Sequence, residues 1–136
     1  MNKKFIGKSM KNEQWVIADN LIYDDKTGAH YLIPNLFTNG EINLSKRRTL
    51  LKYKVEPYSI GAEIGTDSIG STLFTGDLVE VSFSYIGDPE KIKIKDVGTV
   101  IYDTEKKICY IRSQNRAFLF AGDSLHIISS IIRIGR

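Results

Sequence analysis

Asp77-Leu78-Val79-Glu80-Val81-Ser82-Phe83-Ser84-Tyr85 is the stretch that decides the fold. From Val79 to Tyr85 large apolar and polar side chains alternate strictly, the period of a strand with one dry and one wet face. Gly76 and Asp77 precede it, a turn signal that fixes where the strand begins. Further strands follow. Lys91-Ile92-Lys93-Ile94-Lys95 alternates again, and Gly98–Tyr102 and Lys107–Ile111 flank Asp103-Thr104-Glu105-Lys106 as a hairpin. Residues 117–120 read as a short strand. The tail carries five isoleucines between 127 and 134, and β-branching favours strand there over a helical stripe of Leu125, Ile128 and Ile132.

Upstream, residues 14–18 and 21–23 are short β-forming runs, and the Asp24–Gly28 turn returns the chain into residues 29–33. The pattern lapses from Pro34 to Arg48, a stretch that reads as a long surface loop. Leu51, Tyr53 and Val55 then alternate with Lys52, Lys54 and Glu56 as a half-buried strand. Pro57 marks a boundary, and glycines at 61, 65, 70 and 76 make residues 60–76 read as tight turns. No segment forms a convincing long helix. The expected fold is all-β: an N-terminal β-hairpin module over residues 1–56 with a basic loop near 35–48, and an SH3-like β-barrel module over 57–136, the two either separate or sharing one core.

Length and composition agree. At 136 residues, with 42% hydrophobic and 26% charged residues, the chain is long enough to bury a core without disulfides or metals. Cys109 is the single cysteine, and His30 and His126 are the only histidines, which leaves few ways to build a thiolate cluster or a zinc site. The N-terminus lacks the apolar run of a signal peptide, and no run approaches the ~20 residues of a membrane helix. The expectation is a cytoplasmic protein without cofactors.

Charge is uneven. Residues 1–56 hold ten Lys/Arg against six Asp/Glu, and residues 57–136 hold nine against ten. Two basic features follow. Lys46-Arg47-Arg48 lies in the loop and could meet phosphate or an acidic partner. Lys91, Lys93 and Lys95 would share one face of a strand, either as an anion or nucleic-acid stripe or as lysines guarding a sheet edge. Aromatic residues do not interleave with them as a stacking platform requires.

Other motifs point away from catalysis. Gly65-Thr66-Asp67-Ser68-Ile69-Gly70-Ser71-Thr72 nearly matches the phosphate loop GxxxxGK[ST], but Ser71 stands where lysine is needed, and turn and strand follow where a helix should. His30 and His126 read as cross-strand or surface residues and Cys109 as a small buried hydrophobe, and Asp and Glu are scattered without an evident pairing. Ile22-Tyr23-Asp24 and Ile101-Tyr102-Asp103, each followed by a later tyrosine, suggest two hairpins using Tyr pairs across strands with Asp at the turn.

A spaced pattern adds a further expectation. Phe5-Ile6-Gly7-Lys8, Trp15-Val16, Val55-Glu56-Pro57-Tyr58-Ser59-Ile60-Gly61 and Phe74-Thr75-Gly76-Asp77-Leu78-Val79, followed by Gly98-Thr99-Val100, resemble the YopX family of small phage and prophage proteins over roughly residues 5–103. The loop from Ala62 to Gly70 departs from the family, keeping its glycines and an Asp but losing an aromatic and a Lys-Asn pair. The resemblance implies a β-rich fold with an SH3-like barrel, homo-oligomers and a bacterial host cytoplasm. The function expected is a non-enzymatic assembly or partner-binding module, with itself or a phage or host protein as partner. The alternative is nucleic-acid binding through the basic loop or barrel surface.

Overall fold

The computed structural model describes residues 3–34 and 51–136, and the protein is all-β. Among the described residues the strands are β1 (Phe5–Lys8), β2 (Trp15–Ala18), β3 (Asn20–Asp24), β4 (Ala29–Ile33), β5 (Lys54–Val55), β6 (Gly61–Thr66), β7 (Thr72–Phe74), β8 (Leu78–Tyr85), β9 (Ile94–Asp103), β10 (Ile108–Arg112), β11 (Ala117–Leu119) and β12 (His126–Gly135), with single 3-10 turns at Leu51–Tyr53 and Pro57–Ser59. No helix among the described residues is long and apolar enough to cross a membrane.

The chain divides into two compact units, the second beginning at Ile64. In the first, β1 pairs antiparallel with β2 and with the start of β6, and β4 lies between β3 and β5. Ala18, Leu32 and Val55 are buried with Phe5, Val16, Leu21 and Ile60 packed on them, while Ala29, Tyr31 and Ile33 form a second small cluster.

The second unit is a curled, barrel-like antiparallel sheet in the order β11-β10-β9-β8-β12. Its core is Leu73, Val79, Val81, Phe83, Val100, Ile111, Phe118 and Ile131. The alternation of β8 is therefore the core itself, with Val79, Val81 and Phe83 fully buried on one face. Where β9 crosses β10, Gly98 is buried, and a Cβ built there would lie 2.6 Å from Ile111 Cγ2 and 2.9 Å from the Arg112 carbonyl oxygen. Backbone cannot yield to a methyl group as a flexible side chain does. Gly98→Ala is therefore expected to cost about 1–3 kcal/mol through overpacking, seen as a lowered urea midpoint with an unchanged slope. No loss would mean that the strands part there freely.

Several sequence expectations are corrected. Residues 60–76 are not turns alone: β6 and β7 form there, because Ile64, Leu73 and Phe74 have core to cover and the glycine-rich turn sits between the two strands. Leu51–Tyr53 is a 3-10 turn and only Lys54–Val55 is strand. The tyrosines do not pair with each other. Tyr31 faces Ile22 and Tyr110 faces Ile101, the same register in both hairpins, each with Asp at the strand end. The isoleucine-rich tail is strand β12, as its β-branching predicts.

Candidate functional site

Two loops and the last strand bring the chemistry of the second unit together. The turn between β6 and β7 is built on Asp67, whose Oδ1 accepts the N–H groups of Ile69 at 3.1 Å and Ser71 at 2.8 Å. Its Oδ2 accepts the Arg133 N–H at 2.8 Å. That bond from Arg133 is the main reason the Asp67 carboxyl sits below its ordinary range; desolvation opposes it, and the Ser71, Ile69 and Gly70 N–H groups add to it. The donors a phosphate would need from this glycine-bounded loop are thus already aimed at the loop's own carboxylate. Ser68 completes the contact with β12, its N–H donating to the Ile131 carbonyl and its Oγ accepting the Ile131 N–H, both at 2.8 Å.

Asp77, fully buried at the start of β8, accepts the Phe74 N–H at 2.8 Å. Arg133 Nε reaches its Oδ2 at 2.9 Å and an Arg136 guanidinium nitrogen its Oδ1 at 3.0 Å. Gly76, at φ +91°, turns the chain into this position, and Arg136 lies where a side chain at 76 would stand.

Asp123 and His126 form the third group. Asp123 Oδ1 accepts the N–H groups of Leu125 at 2.8 Å and His126 at 2.7 Å, and the carboxylate lies 3.0 Å from His126 Nδ1. Desolvation is the largest single influence on this carboxyl and pushes it up. The ring bond from His126 and the two N–H bonds together outweigh it, so Asp123 lies below its ordinary range. The His126 ring is buried between Phe83, Tyr85 and Phe118, at centroid distances of 5.2, 5.3 and 4.8 Å. Beside it runs an open groove of about 590 Å³, lined by Ser68, Ile86, Phe120, Asp123, Ile128 and Ile131 among others. Leu125 (63% exposed), Ile127 (54%) and Ile86 (52%) stand bare at this end of the unit.

The basic residues singled out in the sequence do not gather here. Lys46, Arg47 and Arg48 lie outside the described residues. Lys91 has φ +51° and precedes β9, Lys93 is also outside the strand, and only Lys95 is a strand residue, 3.7 Å from Glu80. The three lysines are not a row on one strand, because Asp88 folds the segment before Ile94 into a turn by accepting the N–H groups of Glu90 and Ile92. Nor is β9 an edge of the sheet, since it lies between β8 and β10.

His30 is a cross-strand residue opposite Tyr23 and Val55, as expected, and its ring packs on Tyr23 at 4.9 Å. Among the described residues, no group of three or more His, Cys, Asp or Glu is placed to hold a metal ion. Sequence reasoning missed the Asp67, Asp77 and Arg133 network, whose partners are 56 to 66 residues apart. The one local signal was the Gly76-Asp77 pair opening the best strand. No protein-family model, curated protein or solved structure matches this chain.

Proposed function

We propose that this chain is a non-enzymatic partner-binding module that assembles with protein chains, further copies of itself among them, through the edge of β12. One observation carries the reading. β12 ends its sheet with ten residues, whereas β11 at the other end has three. Natural proteins keep edge strands short, charged or covered, because an open edge recruits other strands. β12 is long, has Arg133 as its only Lys, Arg, Asp or Glu, and is flanked by the bare side chains of Leu125, Ile127 and Ile86. An extended segment added there would gain main-chain hydrogen bonds from the strand and apolar contacts from the groove.

The polar groups nearest the groove favour binding over turnover. The Asp123 carboxylate is spent on two backbone N–H groups and the His126 ring, an arrangement that fixes a turn. The resemblance of the spaced motifs over roughly residues 5–103 to the YopX family supports the same reading and adds a phage or prophage origin and a bacterial host cytoplasm.

Ile127→Lys tests it. The side chain is exposed, so stability should change by less than about 0.5 kcal/mol. Light scattering should show the wild type as a discrete multiple of 15.4 kDa and the variant as a single chain. A wild type that is a single chain at every concentration, or a variant that assembles like it, counts against the edge. Co-eluting nucleic acid that is lost as salt rises would instead favour the nucleic-acid reading.

A further inference from the structure

From Leu125 to Ile134 the chain reads Leu-His-Ile-Ile-Ser-Ser-Ile-Ile-Arg-Ile, which is nearly the same in both directions by chemical class. About a centre between Ser129 and Ser130, serine meets serine, Ile128 meets Ile131, Ile127 meets Ile132, a basic residue meets a basic residue, and Leu125 meets Ile134. A regular strand would spoil this symmetry, since residues three apart lie on opposite faces. β12 is not regular. Its register against β8 shifts between Ile128 and Ser130, so Ile128 and Ile131, opposite Phe83 and Val81, both pack on the core, while Ile127 and Ile132, opposite Ser84 and Glu80, both lie on the other face. The bulge therefore gives the two halves of the strand matching faces, which is what an antiparallel pairing of two copies about a two-fold axis demands.

The edge is not wholly open in the single chain. The turn between β6 and β7 occupies it at Ile131 and Arg133, with three hydrogen bonds from Asp67 and Ser68 that stand in for a neighbouring strand. We propose that the occupant of this edge is a second copy, paired β12 to β12 about a two-fold between Ser129 and Ser130, and that the Asp67-Ser68 turn is a guard the partner strand displaces. This rests on the reading of β12 as the assembly edge and names its partner. The segment Ile127–Ile132 has no charge and no proline, the composition that pairs with itself most readily, and the guard covers its C-terminal half.

The sign of one substitution is diagnostic. Ser68→Ala removes a native hydrogen bond to β12 in each of the two chains, so it should strengthen self-association, lowering the concentration at which half the chains are dimeric by about five- to a hundredfold, the worth of two bonds no longer competed for. Unchanged or weaker dimerisation overturns the guard. If Ile127→Lys still dissociates the wild type in that case, the edge reading stands without it; a single chain under all conditions sinks both. The register has its own test in a Cys109→Ser background. Chains carrying Ser129→Cys and chains carrying Ser130→Cys, mixed under mild oxidation, should cross-link faster than either alone, because the two-fold sets 129 against 130 within reach of a disulfide. Equal rates in the mixture and the separate chains, or a ladder of species beyond the dimer, overturn the two-fold pairing.

Discussion

Asp77→Ala is expected to destabilise the second unit by about 3–5 kcal/mol, the cost of removing one partner from a buried ion pair. The carboxylate has no exposed surface and answers three donors at once: the Phe74 N–H, Arg133 and Arg136. Alanine leaves the Phe74 N–H without its acceptor and the Arg136 guanidinium, 7% exposed, beside an uncompensated hole. The partners are not equal. Arg133 is 30% exposed, so water can take over much of its solvation, and Arg133→Ala should cost clearly less than Arg136→Ala. Asp77→Asn keeps the shape and one acceptor oxygen but not the charge, and should fall between wild type and alanine. Urea unfolding of the four variants gives the order; a loss below about 1 kcal/mol for Asp77→Ala would mean that the arginines find other partners and the network is ornamental.

The same network shows how Asp67, Asp77 and Arg133 divide one task. Arg133 gives its backbone N–H to Asp67 and its side chain to Asp77, so the turn lying on the edge of β12 and the start of β8 are tied through a single residue. Breaking the Asp77 side should leave the Asp67 bond in place, since it is a main-chain contact. Stability and the proposed assembly are therefore expected to separate in this unit, with Asp77 variants lowering the first and Ser68 and Ile127 variants altering the second.

How much of this was legible beforehand depends on the range of the interaction. Val79, Val81 and Phe83 were readable because alternation is local and the buried face of a strand leaves its mark on consecutive residues. The isoleucine-rich tail was readable as strand for the same reason. Lys91 to Lys95 misled because three residues of period-two pattern fall within a turn whose conformation is set by Asp88, and the Gly87-Asp88-Pro89 turn signal should have outweighed the alternation. β6 and β7 were hidden because their glycines argue for turns, while the evidence for strand lies in the core that Ile64 and Leu73 cover. Of the candidate site, no local pattern could pair Asp67 with Arg133 or Asp77 with Arg136. The bulge that gives β12 its matching faces is a property of its pairing with β8 and leaves no trace in composition.

Phe83→Ala is the other large effect, and it bears on the groove as well as the core. Phe83 has no exposed surface and touches the Phe118 ring at 4.9 Å, His126 at 5.2 Å and Tyr85 at 5.5 Å, with the Arg116 guanidinium 5.2 Å above its face. Truncation to alanine in such a site costs about 3–5 kcal/mol, made up of lost transfer energy and the cavity left behind. Arg116 adds a coupled loss, because it is held over the ring by Tyr85 and Asp96 at 3.0 Å each and would face a void. Phe83→Leu fills most of the volume without the aromatic face, so the difference between leucine and alanine measures the cavity, and that between phenylalanine and leucine measures the ring contacts. Leucine is expected to recover more than half of the loss in urea unfolding. Should leucine prove as damaging as alanine, the contacts with His126, Phe118 and Arg116, and not the filled volume, hold this end of the sheet. The groove beside β12 would then feel the loss through His126, the one of these side chains that lines it.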